Sequence, residues 1–183
     1  MDNNNAFVTA DVMLLKRTDA DFLRWVNEIT GAFKEVETLS DRAAAVLGFA
    51  LLEEALERLA RQVMVKPKSE HFGGLGFLSS ASARINALYQ FGVLPAEIFE
   101  DLTLLRQIRN DFSHGAKAGL TFDSPQIVKR AEQLRCLSEI AQSMKDLDDQ
   151  GWLQSLVKKS EGSIRNLFVG SALSLVAIIE GRM

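Results

Sequence analysis

Apolar side chains recur at intervals of three and four residues along most of the chain, which is the spacing of one face of an α-helix. The stretch 95–115 shows this pattern clearly, because Pro95 stands where a helix begins and Gly115 where one ends. Its apolar stripe consists of Ile98, Leu102, Leu105, Ile108 and Phe112. The stripe predicts a helix with one buried face and a polar face opposite to it.

The same spacing predicts further helices, several of which follow a residue that can cap the first turn. One follows Thr18 and runs through Phe22–Val36, and a longer one follows Ser40 over 41–65, ending before Pro67. Ser79 or Ser80 begins a short helix that closes at Gly92. The remaining two are predicted over 124–144 and 162–179.

No stretch alternates apolar and polar residues as a half-buried strand does, so the prediction is an all-α fold. At 183 residues the chain is most simply a single-domain helical bundle of about six helices. We expect residues 1–15 to be flexible. The core is expected over about 38–145, packed by the C-terminal helix at 162–180.

Composition excludes several classes of protein. The formal charge of −3 argues against direct DNA binding over a broad basic surface. One cysteine, Cys136, and two histidines make a poor ligand set, so neither a metal nor a cofactor is expected. No charged-then-apolar leader is seen at the start of the sequence, so no signal peptide is expected. The apolar run 167–179 is too short to span a membrane, which predicts a buried helix in a cytoplasmic protein.

Two sequence features have both a structural and a functional interpretation. Glycines at 73, 74 and 76 suggest a phosphate loop, but the segment follows a helix and lacks the Gly-Lys-Ser/Thr ending, so a simple helix connection is favoured. Small residues at 163, 170, 171 and 174, with Asn166, form a seam along the last helix. The seam suits core packing, with self-association as the alternative.

The chemically suggestive residues are Arg109, Asn110 and His114, near the end of the 95–115 helix. A guanidinium can hold a phosphate and an imidazole can transfer a proton near neutral pH. Five residues turn the helix by about 140°, so Arg109 and His114 do not share a face within one chain. The structural interpretation pairs Arg109 with Glu53 or Glu54 and places His114 at the helix C-terminus.

Residues 79–92 and 95–114 are joined by a short turn, as the two helices of a helix-turn-helix are. The second helix would have to present Arg106, Gln107, Arg109 and Asn110 to DNA. Its first turns instead carry Glu97, Glu100 and Asp101, which repel phosphate. The pattern therefore does not favour a DNA reader.

A set of short blocks resembles the mannitol operon repressor family of bacterial regulators. The blocks span roughly residues 38–130 and lie at 41–45, 51–54, 73–76, 83–85, 88–89, 92–93, 105–114 and 120–123. The resemblance implies an all-α protein without a recognised DNA-binding motif. It implies regulation through a protein partner, either another regulator or a transport component.

The Arg109-Asn110-x3-His114 pattern also resembles the HEPN superfamily of helical bundles. That resemblance implies a metal-independent ribonuclease site at a dimer interface. Arg109 would hold the scissile phosphate, His114 would transfer the proton and Asn110 would orient them. Our first hypothesis is therefore a non-enzymatic, homo-oligomeric regulator with a protein partner, and the alternative is an RNA-cleaving endoribonuclease.

Overall fold

The computed structural model describes residues 31, 34–36, 38–114, 119–143 and 152–181. Within those ranges the chain is helical and contains no strand, which confirms the all-α prediction. The helices are α1 (Asp41–Val63), α2 (Ala81–Gln90), α3 (Ala96–His114), α4 (Pro125–Ala131), α5 (Cys136–Ser143), α6 (Trp152–Ser160) and α7 (Ile164–Gly181). A 3₁₀ turn at Ser69–His71 interrupts the connection between α1 and α2.

Two of the predicted start signals, Ser40 and Ser80, act as expected. The Ser40 hydroxyl accepts a hydrogen bond from the Ala43 amide at 3.3 Å, and the Ser80 hydroxyl accepts one from the Ala83 amide at 3.2 Å. Both satisfy first-turn donors that have no partner within their own helix. Gly92, with φ +70°, then turns the chain from α2 towards α3.

Helix α7 is the centre of the bundle and packs most extensively along α1. Its residues from Phe168 to Leu175 are all buried, so the prediction of a buried helix is confirmed. A Cβ at Gly170 would lie 2.9 Å from Leu137 Cδ2 of α5, so glycine permits close helix approach there. Ser171 and Ser174 are 0% and 2% exposed, so this part of the small-residue seam packs inside the chain.

Helix α3 lies between α1 and α4, with its whole predicted stripe buried. The predicted helix over 124–144 is wrong in one respect, because it breaks into α4 and α5 between Ala131 and Cys136. The cause is Asp101 of α3, which is 1% exposed. Its Oδ2 accepts hydrogen bonds from the Arg135 and Cys136 amides at 2.9 and 2.7 Å, capping α5 from another helix.

Several predictions concern residues outside the described ranges. They include the flexible segment 1–15 and the cap at Thr18, and of the following helix only residues 31 and 34–36 are described. These four positions are helical, and Val36 is buried in the core. Arg165 of α7 donates to the Val36 carbonyl at 2.7 Å and to Asp41 Oδ1 at 3.0 Å, which ties this segment to the bundle.

Candidate functional site

Arg109 is held by Glu53 across the α1–α3 contact. Its Nη2 lies 3.0 Å from both carboxylate oxygens of Glu53, and its Nη1 donates to Asn110 Oδ1 at 3.0 Å. The guanidinium carbon also lies 5.4 Å from the centre of the Phe49 ring, within the range of a cation–π interaction. The predicted structural pairing of Arg109 with α1 is thereby found in the fold.

His114 occupies a different environment at the exposed end of α3. The two terminal nitrogens of Arg109 are both engaged, Nη1 by Asn110 and Nη2 by Glu53, so a phosphate would have to compete with these partners. A single chain therefore offers an internal ion pair and, five residues further along α3, a solvent-facing histidine. The composite site of Arg109, Asn110 and His114 from two copies stays a prediction.

This prediction has a direct test with labelled RNA in the presence of EDTA. The ribonuclease hypothesis expects cleavage that is lost in Arg109→Ala and His114→Ala while circular dichroism still reports a folded helical protein. Absence of cleavage by the unaltered protein would refute the hypothesis.

We expect Glu53→Gln to lower the free energy of unfolding by about 1 kcal/mol, because it removes the charge from a half-buried pair. The side chains of Arg109 and Glu53 are 25% and 27% exposed, so water weakens the attraction only in part. Urea unfolding followed by circular dichroism measures the change. The matched control is Glu54→Gln, whose carboxylate is 67% exposed and pairs with Arg58 on the same helix. Equal losses of unfolding free energy in the two variants would contradict a larger contribution from the Arg109–Glu53 pair than from the Glu54–Arg58 pair.

A groove of about 540 Å³ opens between α3 and the α4–α5 break. Its lining combines apolar and charged side chains, namely Phe99, Glu100, Thr103, Leu104, Glu132, Gln133 and Arg135. The Phe99 ring is stacked on Tyr89 with 4.3 Å between ring centres, which fixes one wall. Arg135 pairs with Glu100, whereas Glu132 has no ion-pair partner among the residues that the structure describes. The groove therefore offers an apolar floor beside a carboxylate.

The glycine-containing connection does not present a phosphate cradle. The Gly76 amide donates to the Gly73 carbonyl at 2.9 Å, and the Leu78 amide donates to the His71 carbonyl at 2.9 Å. These two amides are thus used within the loop and are not free to bind a phosphate. The segment is a helix connection, as favoured from the sequence.

Comparison with known proteins adds a family assignment to this geometry. A family model described as the mannitol repressor, MtlR, matches residues 26–180 of the chain. The chain belongs to the mannitol repressor family. The resemblance read from the short sequence blocks is therefore confirmed.

Among solved structures, a chain of the X-ray structure of the MtlR-HPr complex from Escherichia coli is similar to this mannitol repressor family member. The TM-score is 0.60 at 21% identity, and the match covers 85% of this chain and 98% of that chain. At this identity the likeness establishes the fold. None of the curated proteins compared with the chain matches it.

The described ranges contain neither a metal-binding cluster nor a membrane-spanning helix. No group of three or more His, Cys, Asp or Glu residues there is placed to hold a metal ion. Nor does that part of the chain contain a helix long and apolar enough to cross a membrane.

Asp101 caps α5 from α3, and the sequence pattern did not predict this role. It stands three residues after Ile98 and four before Leu105, so it falls on the buried stripe of α3. A carboxylate at such a position needs a polar partner in the core. That spacing was the available signal, although it does not identify the Arg135 and Cys136 amides as the partners.

Cys136 is expected to be unreactive in the folded protein. Burial raises the pKa of its thiol well above the ordinary value, and the charge of neighbouring Asp101 raises this pKa further. The nucleophilic thiolate is therefore scarce at neutral pH. We expect Ellman's reagent to modify Cys136 at least roughly 100-fold more slowly in buffer than in concentrated guanidinium chloride. Similar rates under the two conditions would contradict the burial of this thiol.

Proposed function

We propose that this mannitol repressor family member regulates transcription by binding a protein partner with its helical bundle, and that HPr is such a partner. The observation that carries the proposal is the fold match to a chain of an MtlR-HPr complex over 98% of that chain. A repressor of this kind would act in the cytoplasm, where transcription takes place in bacteria.

Electrostatics supports a protein partner over DNA. The chain has a formal charge of −3, and the helix that would have to enter a groove begins with Glu97 and Glu100. One of its basic side chains, Arg109, is engaged by Glu53, and Arg135 from the neighbouring α4–α5 break is engaged by Glu100. Few cations remain along α3 to replace the counterions of a phosphate backbone.

Isothermal titration calorimetry with purified HPr tests the proposal. We expect one-to-one binding with a dissociation constant on the order of micromolar, as suits a transient regulatory contact. A folded chain that gives no binding to HPr would refute the assignment of this partner.

A second measurement addresses the mode of regulation. Electrophoretic mobility shifts with operator DNA should show no complex with the chain alone at physiological salt. Sequence-specific binding by the chain alone, weakening steeply as salt rises, would overturn the protein-contact mechanism.

A further inference from the structure

Large exposed apolar side chains are concentrated in one short segment. Among the described residues, four of the six lie at the last residue of α1 or between α1 and α2, in a segment that we call the apolar loop, residues 63–77. They are Val63, Val65, Leu75 and Phe77. Leu75 is fully exposed, Val65 is 95% exposed and Phe77 is 61% exposed. A cluster of this kind marks an interaction surface more often than scattered single residues do.

The apolar loop is built in a defined conformation by its glycines. Gly74 has φ +56°, which side chains other than glycine rarely adopt. A Cβ at Gly76 would lie 2.2 Å from the Glu70 carbonyl oxygen, so the backbone at Gly76 packs directly against the backbone at Glu70. Leu75 stands between these two glycines and points its side chain into solvent. The exposure of Leu75 is therefore a fixed feature of the turn.

Charge adds a second property to this surface. Lys66 and Lys68 are exposed beside Val65, and the one acid nearby, Glu70, lies 3.4 Å from the Lys68 ammonium. The apolar loop thus presents leucine and phenylalanine next to a small excess of positive charge. Its complement is an apolar cleft with carboxylates at its rim.

The same chain carries such a cleft. The groove between α3 and the α4–α5 break has Phe99 and Leu104 on its floor, and Glu132 stands at its rim without an ion-pair partner in the described ranges. The loop does not fill the groove of its own chain, because Leu75 is fully exposed.

We propose that the apolar loop of one copy docks into the groove of a second copy, with Leu75 and Phe77 over Phe99 and Leu104 and with Lys66 or Lys68 near Glu132. In a two-fold dimer this contact forms twice, which doubles its contribution. The proposal is independent of HPr binding and gives the predicted homo-oligomer a specific surface.

Sedimentation velocity at micromolar concentrations tests the proposal with the full chain. We expect a dimer whose dissociation constant rises at least about tenfold in Leu75→Ser, because an exposed leucine would no longer be buried on association. The matched control is Phe91→Ser, which removes another large exposed apolar side chain, 70% exposed, from outside the loop and groove. A monomer at all concentrations, or equal weakening by both variants, would overturn the proposal.

A charge exchange separates docking from any effect on folding. Glu132→Lys alone and Lys66→Glu/Lys68→Glu alone should each weaken the dimer about tenfold, whereas their combination should restore part of the loss. Failure of the combination to recover affinity would refute the pairing of loop with groove. If Leu75→Ser instead weakens HPr binding while the dimer is unchanged, the loop belongs to the hetero-complex and the proposal is wrong.

Discussion

Replacing Asp101 with alanine is expected to lower the free energy of unfolding by about 3 kcal/mol, because two backbone amides lose a charged acceptor within the protein. The Cys136 amide is buried, so water does not readily replace the carboxylate. Asp101→Asn should lose about half as much, since an amide oxygen can still accept these hydrogen bonds. Urea unfolding monitored by circular dichroism measures both variants.

The neighbouring residue gives a matched control for Asp101. Glu100 pairs with the side chain of Arg135 on the surface, where the two side chains are 59% and 48% exposed. Glu100→Ala should therefore change the free energy of unfolding by less than about 1 kcal/mol. A loss in Glu100→Ala as large as in Asp101→Ala would mean that the surface pair, and not the buried cap, holds α5 in place.

Gly76→Ala is expected to destabilise the protein by about 2 kcal/mol, because a methyl group would overlap backbone atoms that cannot move independently. The added Cβ would lie 2.2 Å from the Glu70 carbonyl oxygen and 2.4 Å from that of His71. Thermal and urea unfolding measure the loss. If the apolar loop docks as proposed, the same variant should also weaken the dimer in sedimentation velocity.

Gly73 supplies the comparison within the same loop. A Cβ there would meet the Ser69 carbonyl oxygen at 3.9 Å, which is an ordinary van der Waals distance. Gly73 also has no positive φ, so alanine can adopt its backbone conformation. Gly73→Ala should be neutral or stabilise the protein by up to about 1 kcal/mol, by restricting the unfolded chain. Destabilisation equal to that of Gly76→Ala would refute the steric explanation.

The elements that the sequence predicted correctly are those with local causes. The caps at Ser40 and Ser80 act on amides three residues away, and the stripe of α3 repeats within a single helix. Helix spacing and capping depend on neighbours in sequence, so the pattern contains the information that is needed. The predicted helices over 41–65 and 95–115 accordingly agree with α1 and α3 to within two residues.

The break between α4 and α5 has no local cause of this kind. The apolar residues Ile127, Ala131, Leu134, Leu137 and Ile140 keep helical spacing across it. The interruption depends on Asp101, which is 34 residues from Arg135 in sequence. A carboxylate brought there by tertiary packing competes with continued helical hydrogen bonding. Helix α6, which the periodicity did not predict, likewise obtains much of its support from packing on α7.

The candidate site likewise has one part that the sequence predicted, the pairing of Arg109 with α1, and one part that it did not, the groove. The pairing of Arg109 with α1 was open between Glu53 and Glu54, and the structure selects Glu53. Sequence alone could not choose, because adjacent helical residues point about 100° apart and the α1–α3 rotation was unknown. The groove at Phe99 and Glu132 was not predicted, since it is created by the break between α4 and α5.

The central position of α7 affects how the protein is made. During translation, the residues of α1 emerge more than a hundred positions before Gly181, the last residue of the helix that covers them. At about 5–20 residues per second, the nascent chain spends on the order of ten seconds with that apolar face uncovered. A holdase chaperone that shields this intermediate should therefore raise the yield of folded protein during cell-free synthesis.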